Sequence, residues 1–165
     1  MRSLLPNLNI FVSGDLDEWE IARLQESGAS IDGYGLGTRL VTGQPVNGVY
    51  KLVEINGIPT MKQSSQKATY PGKKQVFRTY SQGMIQADRL GLASESIEGQ
   101  EISLLKLVMK QGKPLSNPDC LDTIRQRTQA SVASLSEANR HLSQPTPIVV
   151  NISNPLESLR QTLSS

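Results

Sequence analysis

Two short segments constrain this chain more than any others: Phe11-Val-Ser-Gly-Asp-Leu-Asp-Glu18 and Ile31-Asp-Gly-Tyr-Gly-Leu-Gly-Thr38. Each runs from an apolar stretch into a glycine-bearing turn, and the two lie one β/α unit apart. That is the layout of consecutive units in an α/β barrel or doubly wound sheet, where the loops after the strands carry the chemistry. Gly35, Gly37 and Thr38 supply unobstructed backbone amides and a hydroxyl, which suit a phosphate. A closed barrel needs eight such units, and this sequence offers one or two.

The 165 residues suffice for one ordinary domain, although only 37% are apolar and 4% aromatic. A formal charge of +2 is near balance and gives no reason to expect bulk binding to nucleic acid or membrane. The single cysteine, Cys120, cannot form an internal disulfide, which fits a reducing cytoplasm; it has no metal-ligand spacing and reads as packing. No apolar run is long enough to span a membrane, and the start has no secretory h-region. Arg2 to Pro6 reads as an interior linker, so Met1 need not be a native start.

Three stretches differ in character. Residues 1–45 read as α/β, with a strand over Leu8–Val12 and a second beginning at Ile31. Between them Asp15 or Asp17 caps a helix, each with a glutamate three residues later, and Gly28 stops it. Residues 46–118 read as antiparallel β: an alternating strand Val49–Ile55, an Asn56-Gly57 hairpin turn, a Pro71-Gly72 turn before Gln75–Tyr80, and a strand Ile102–Met109. Residues 119–165 read as helical. Leu121, Ile124, Thr128, Val132, Leu135, Ala138 and Leu142 recur at spacings of three and four through about residue 142, and a last helix runs from Asn154-Pro155 to Leu163. A piece of α/β sequence followed by a meander and a helix makes an incomplete fold.

Ser13–Glu18, Ile31–Thr42, Gly48–Ile55 and Pro71–Arg78 resemble, in order, the closing part of the nicotinate phosphoribosyltransferase family. The resemblance is looser from residue 79 on. It implies a type II phosphoribosyltransferase: the last β/α units of an irregular barrel, then a β meander of a sheet domain, then C-terminal helices. The implied reaction joins nicotinate to phosphoribosyl pyrophosphate, giving nicotinate mononucleotide and pyrophosphate, with ATP and Mg2+ serving the complete enzyme. The implied partners are those two small molecules, the N-terminal portion of the enzyme and a second copy in a homodimer, with no nucleic acid and no membrane.

By resemblance, Gly35, Gly37 and Thr38 correspond to the 5′-phosphate loop, although glycines also simply permit a sharp turn. Gly14 and Asp15 match a loop near the ribose; helix capping is the plainer account of Asp15. Arg39, Lys51, Lys73, Lys74 and Arg78 form a basic set for phosphate or a subunit interface, or else are solvated surface charges. His141 does not inherit the family's phosphorylated histidine, whose segment has no counterpart here. No catalytic residue and no metal ligand is readable, and the chain alone is expected to be inactive. Two other readings stay open: a non-catalytic split subunit or remnant binding module, and a nicotinamide-type transferase.

Overall fold

The structure, a computed structural model, describes residues 7–43, 48–64 and 67–164. The linker reading of residues 2–6 and the boundary drawn at 45/46 lie outside the described residues. Two compact units emerge, residues 1–49 and 50–165.

In the first unit, β1 (Phe11–Ser13) leads through a tight loop to α1 (Glu18–Glu26), then to β2 (Gly33–Gly35) and the single turn α2 (Thr38–Val41). β1 and β2 pair in parallel, with Phe11 opposite Gly33 and Ser13 opposite Gly35. Both strands start later than Leu8 and Ile31. Before them, the Ile10 amide donates to the Asp32 carboxylate and Ile10 carbonyl accepts the Asp32 amide, at 2.8 and 2.9 Å. Gly33 is needed because the Phe11 ring lies across it: a Cβ there would stand 2.3 Å from a ring carbon. Asp17, not Asp15, caps α1, its carboxylate accepting the Glu20 amide at 2.9 Å. At the far end Gly28, with φ +73°, closes a Schellman motif in which Ala29 donates to the Leu24 carbonyl. Among the described residues Leu16 is the buried apolar side chain of this unit, and Trp19 is exposed.

The second unit opens with a hairpin, β3 (Glu54–Ile55) and β4 (Ile58–Pro59), turned by Asn56 and Gly57 at positive φ. The expected strand from Val49 shrinks to two residues. One further ladder bond follows, the Thr60 amide donating to the Val53 carbonyl at 2.8 Å, and Val49, Tyr50 and Leu52 remain exposed. The short pair β5 (Gln63–Ser64) and β6 (Lys67–Ala68) follows.

The main sheet is built from β7 (Lys74–Ser81), β8 (Met84–Leu92) and β9 (Glu101–Ser103), all antiparallel. The β7–β8 turn, Gln82-Gly83, again has positive φ at both residues. The predicted strand to Met109 stops at Ser103, where the Gln75 side-chain amide pairs with both backbone groups of Leu105, at 2.8 and 3.0 Å. Beyond it β10 (Met109–Lys110) and β11 (Lys113–Pro114) form their own hairpin.

The helical stretch is likewise divided. α3 (Leu121–Ala133) ends at Ser134, and α4 (Glu137–Arg140) starts from a capping box in which Ser136 and Asn139 exchange hydrogen bonds. Leu121, Ile124, Val132 and Leu142 are exposed and Leu135 is half-buried, so most of the periodic stripe is uncovered among the described residues. β12 (Val149–Ile152) then joins β8 in parallel, giving the order β12-β8-β7-β9. The sheet is therefore mixed rather than a pure antiparallel meander. α5 (Asn154–Thr162) starts from Ser153, whose hydroxyl accepts the Leu156 amide, and buries Leu156 completely. Among the described residues Pro71, Phe77, Ile85 and Leu156 are the buried apolar side chains of this unit.

Arg89 fastens β12 and α5 to the hairpin. Its guanidinium binds Glu101 through two nitrogens at 2.8 and 2.6 Å, binds Glu95 at 2.8 Å, and sits 4.3 Å from the Phe77 ring centroid. Glu95 in turn accepts the Ser153 hydroxyl at 2.7 Å. Gly91 leaves room for this: a Cβ there would come within 3.0 Å of the Glu95 carboxylate.

Candidate functional site

Because β1 and β2 run in parallel, the loops that follow them leave the same strand edge. In open α/β sheets that carboxyl edge is where ligands bind. The first loop holds Gly14 at φ +107° and Asp15 at φ +45°. The other non-glycine residues with positive φ among those described, Asn56, Gln82 and Gln111, each precede a glycine in a hairpin turn. Asp15 sits instead at a strand end, and no described residue donates a hydrogen bond to its carboxylate. Backbone held in this region by a non-glycine residue concentrates at functional loops.

Gly14, Asp15, Asp17 and Arg39 line one cleft of about 580 Å³, walled on its apolar side by Val12, Leu16 and Leu24. Gly35, Gly37 and Thr38 do not line it; they stand exposed beyond the neighbouring strand end. The first amides of α2 have no acceptor within the helix, and the Thr38 hydroxyl has no hydrogen-bond partner among the described residues. The two loops thus present a carboxylate and a set of free donors.

The basic set is less uniform than its sequence suggested. Arg39 pairs with Asp17 across the two loops. The Asp17 carboxyl is held below its usual value, first by the Glu20 amide and then by Arg39. Arg78 forms a two-pronged pair with Asp88 at 2.7 and 2.8 Å, an arrangement that already occupies its fork. Lys74 donates to the Tyr70 and Gly72 carbonyls at 2.6 and 2.7 Å, and burial lowers its pKa. Lys51 and Lys73 are exposed.

His141 follows α4 in extended backbone, its Nδ1 within 3.2 Å of the Gln144 amide, so it is held by a local turn rather than by a helix end. Cys120 is exposed at the start of α3, not packed. Its Sγ lies 3.2 Å from the Thr123 hydroxyl, the contact that chiefly lowers its pKa. Among the described residues no group of three or more His, Cys, Asp or Glu could hold a metal ion, and no helix is long and apolar enough to cross a membrane. Sequence reasoning assigned Asp17 to capping alone. Its second bond reaches an arginine one β/α unit away, and nothing local in the sequence marks that partner.

Comparison with known proteins bears on this arrangement. Residues 99–160 match the family model described as the nicotinate phosphoribosyltransferase C-terminal domain. Nicotinate phosphoribosyltransferase of Rattus norvegicus is 36% identical over 94% of this chain and 34% of its own length. Nicotinate phosphoribosyltransferase pncB2 of Mycobacterium tuberculosis is 35% identical over 94% of this chain and 35% of its own. The crystal structure of human nicotinic acid phosphoribosyltransferase superposes with a TM-score of 0.75 at 30% identity, covering 99% of this chain and 34% of that one. The chain spans about a third of the length of the relatives it matches.

Proposed function

We propose that this chain, homologous to the C-terminal region of nicotinate phosphoribosyltransferases, supplies the phosphate and ribose end of such an enzyme's active site. The reaction is the transfer of the phosphoribosyl group of phosphoribosyl pyrophosphate to nicotinate, in NAD biosynthesis. The observation that carries the reading is the parallel pairing of β1 and β2, with Ser13 opposite Gly35, which sends both candidate loops off one edge. Backbone amides around Gly35 and Gly37 and the Thr38 hydroxyl would donate to the 5′-phosphate. The Asp15 carboxylate would accept from ribose hydroxyls and favour positive charge on the anomeric carbon as pyrophosphate departs.

Lys51 and Lys73, exposed and without an ion pair among the described residues, are the better candidates of the basic set for phosphate or a subunit interface. Arg78 and Lys74 are committed to Asp88 and to backbone carbonyls. ATP and Mg2+ belong to the complete enzyme in this reading. The described residues contain no group of three or more His, Cys, Asp or Glu fitted to a metal ion. A cytoplasmic setting and a homodimer complete the proposal.

Residues 105–132 support a second element of it. Leu105, Leu107, Val108, Met109 and Leu121 are all exposed, an apolar surface that further polypeptide would cover. This region would work joined to an N-terminal portion, either in one polypeptide or as a separate subunit, and these 165 residues would not catalyse the transfer alone. Titration calorimetry tests the ligand assignment: nicotinate mononucleotide binds and nicotinate without the phosphoribosyl group does not. Equal binding of the two, or of neither, contradicts it.

A further inference from the structure

We infer that Asp17 and Arg39 are positioning residues, a charged tether that holds the Gly35–Thr38 loop in place from α1. The inference rests on the phosphate-loop reading above. Four residues make up α2, and none of them is buried; Leu40 and Val41 both face solvent. Packing therefore does little to fix this turn. Among the described residues, the one side-chain bond from α2 to α1 is that of the Arg39 guanidinium to Asp17 Oδ2. The other oxygen of the same carboxylate, Oδ1, accepts the Glu20 amide at the start of α1. One carboxylate thus ends one loop and, through Arg39, restrains the other.

The partners differ in freedom. The Asp17 side chain is 20% exposed and fixed by its capping bond, whereas the Arg39 side chain is 53% exposed. Asp17 is the anchor and Arg39 the movable end. The carboxylates of Asp15 and Glu20 also attract Arg39, so the role of Asp17 has to be separated from general acidity of the cleft. Asp17→Asn does this, because asparagine retains capping ability while losing the charge.

The experiment uses the 165-residue chain with D17N, R39Q, the double variant and R39K. The readouts are Cα chemical shifts of residues 38–41 and the dissociation constant for nicotinate mononucleotide. For a tether, D17N and R39Q each lower the helical shifts and weaken binding by a similar factor, up to about fivefold, as expected of an exposed pair. The double variant is no worse than either single one, R39K retains part of the effect, and 0.5 M salt brings wild type toward the variants. A large loss in R39Q with no change in D17N would overturn the proposal, since Arg39 would then act on the ligand directly. Unchanged helical shifts in both single variants would overturn it as well. If wild type fails to bind nicotinate mononucleotide, the functional reading falls, and the chemical shifts alone decide the tether.

Discussion

Ser13 and Gly35 lie opposite each other at the ends of two parallel strands, and a Cβ on Gly35 would stand 3.0 Å from the Ser13 Cβ. This close approach puts the Gly14-Asp15 loop and the Gly35–Thr38 loop side by side, although α1 separates them in sequence. A phosphoribosyl group carries its phosphate and its hydroxyls within one sugar, so a site for it needs donors and an acceptor on adjacent loops.

The Arg89 cluster predicts a defined acid response. Arg89 and Glu101 are 12% and 8% exposed, and the arginine holds the Glu101 carboxyl below its usual value of 4.5. A carboxyl with a lowered folded pKa contributes stability fully present above its unfolded value and lost as pH falls through the folded one. Arg89→Met leaves Glu95 and Glu101 without their counter-charge and costs about 2 kcal/mol at pH 7. The variant recovers part of that deficit relative to wild type as the pH drops below 4.5. Urea unfolding of both proteins at neutral and acid pH checks the sign; a deficit that stays constant with pH contradicts it.

Lys74 is expected to matter for the fold and not for the ligand. Its two bonds to the Tyr70 and Gly72 carbonyls brace the turn ahead of β7. Lys74→Ala should lower stability by about 1 kcal/mol while leaving the affinity for nicotinate mononucleotide unchanged. A loss of affinity without loss of stability would return Lys74 to the phosphate set.

Cys120 is predicted to react in the native protein. It is exposed, and its pKa is lowered chiefly by Thr123, so a larger fraction is thiolate than in a free cysteine. Native chain should therefore react with a disulfide reagent at pH 7 at least as fast as urea-unfolded chain. Cys120→Ser should change stability by less than about 0.5 kcal/mol. Slow native labelling would restore the packing reading.

Features fixed by local chemistry were legible in the sequence. Asn56-Gly57 forms the hairpin turn it announces, Gly28 closes α1, and the last helix starts at Asn154-Pro155. The motifs resembling nicotinate phosphoribosyltransferase were also legible, and similarity to that family runs through nearly the whole chain. Features fixed by distant partners were not. β8 and β12 lack an alternating pattern, and β12 exists because β8 offers it a parallel edge. Of the alternating run from Val49, only its end, Glu54–Ile55, finds a strand to pair with among the described residues. The periodic stripe of α3 predicts burial, yet Leu121, Ile124 and Val132 are exposed among the described residues. Capping choices and ion pairs were equally hidden: Asp15 and Asp17 have the same spacing to a glutamate, and only the fold selects Asp17.

The most direct test follows backbone amide resonances of the 165-residue chain during titration with nicotinate mononucleotide. The account predicts saturable shifts concentrated at Gly14, Asp15, Gly35, Gly37 and Thr38, with residues around Arg89 unmoved. Absence of saturable shifts, or shifts confined to residues 50–164, would contradict the assignment of the phosphate and ribose end to these two loops.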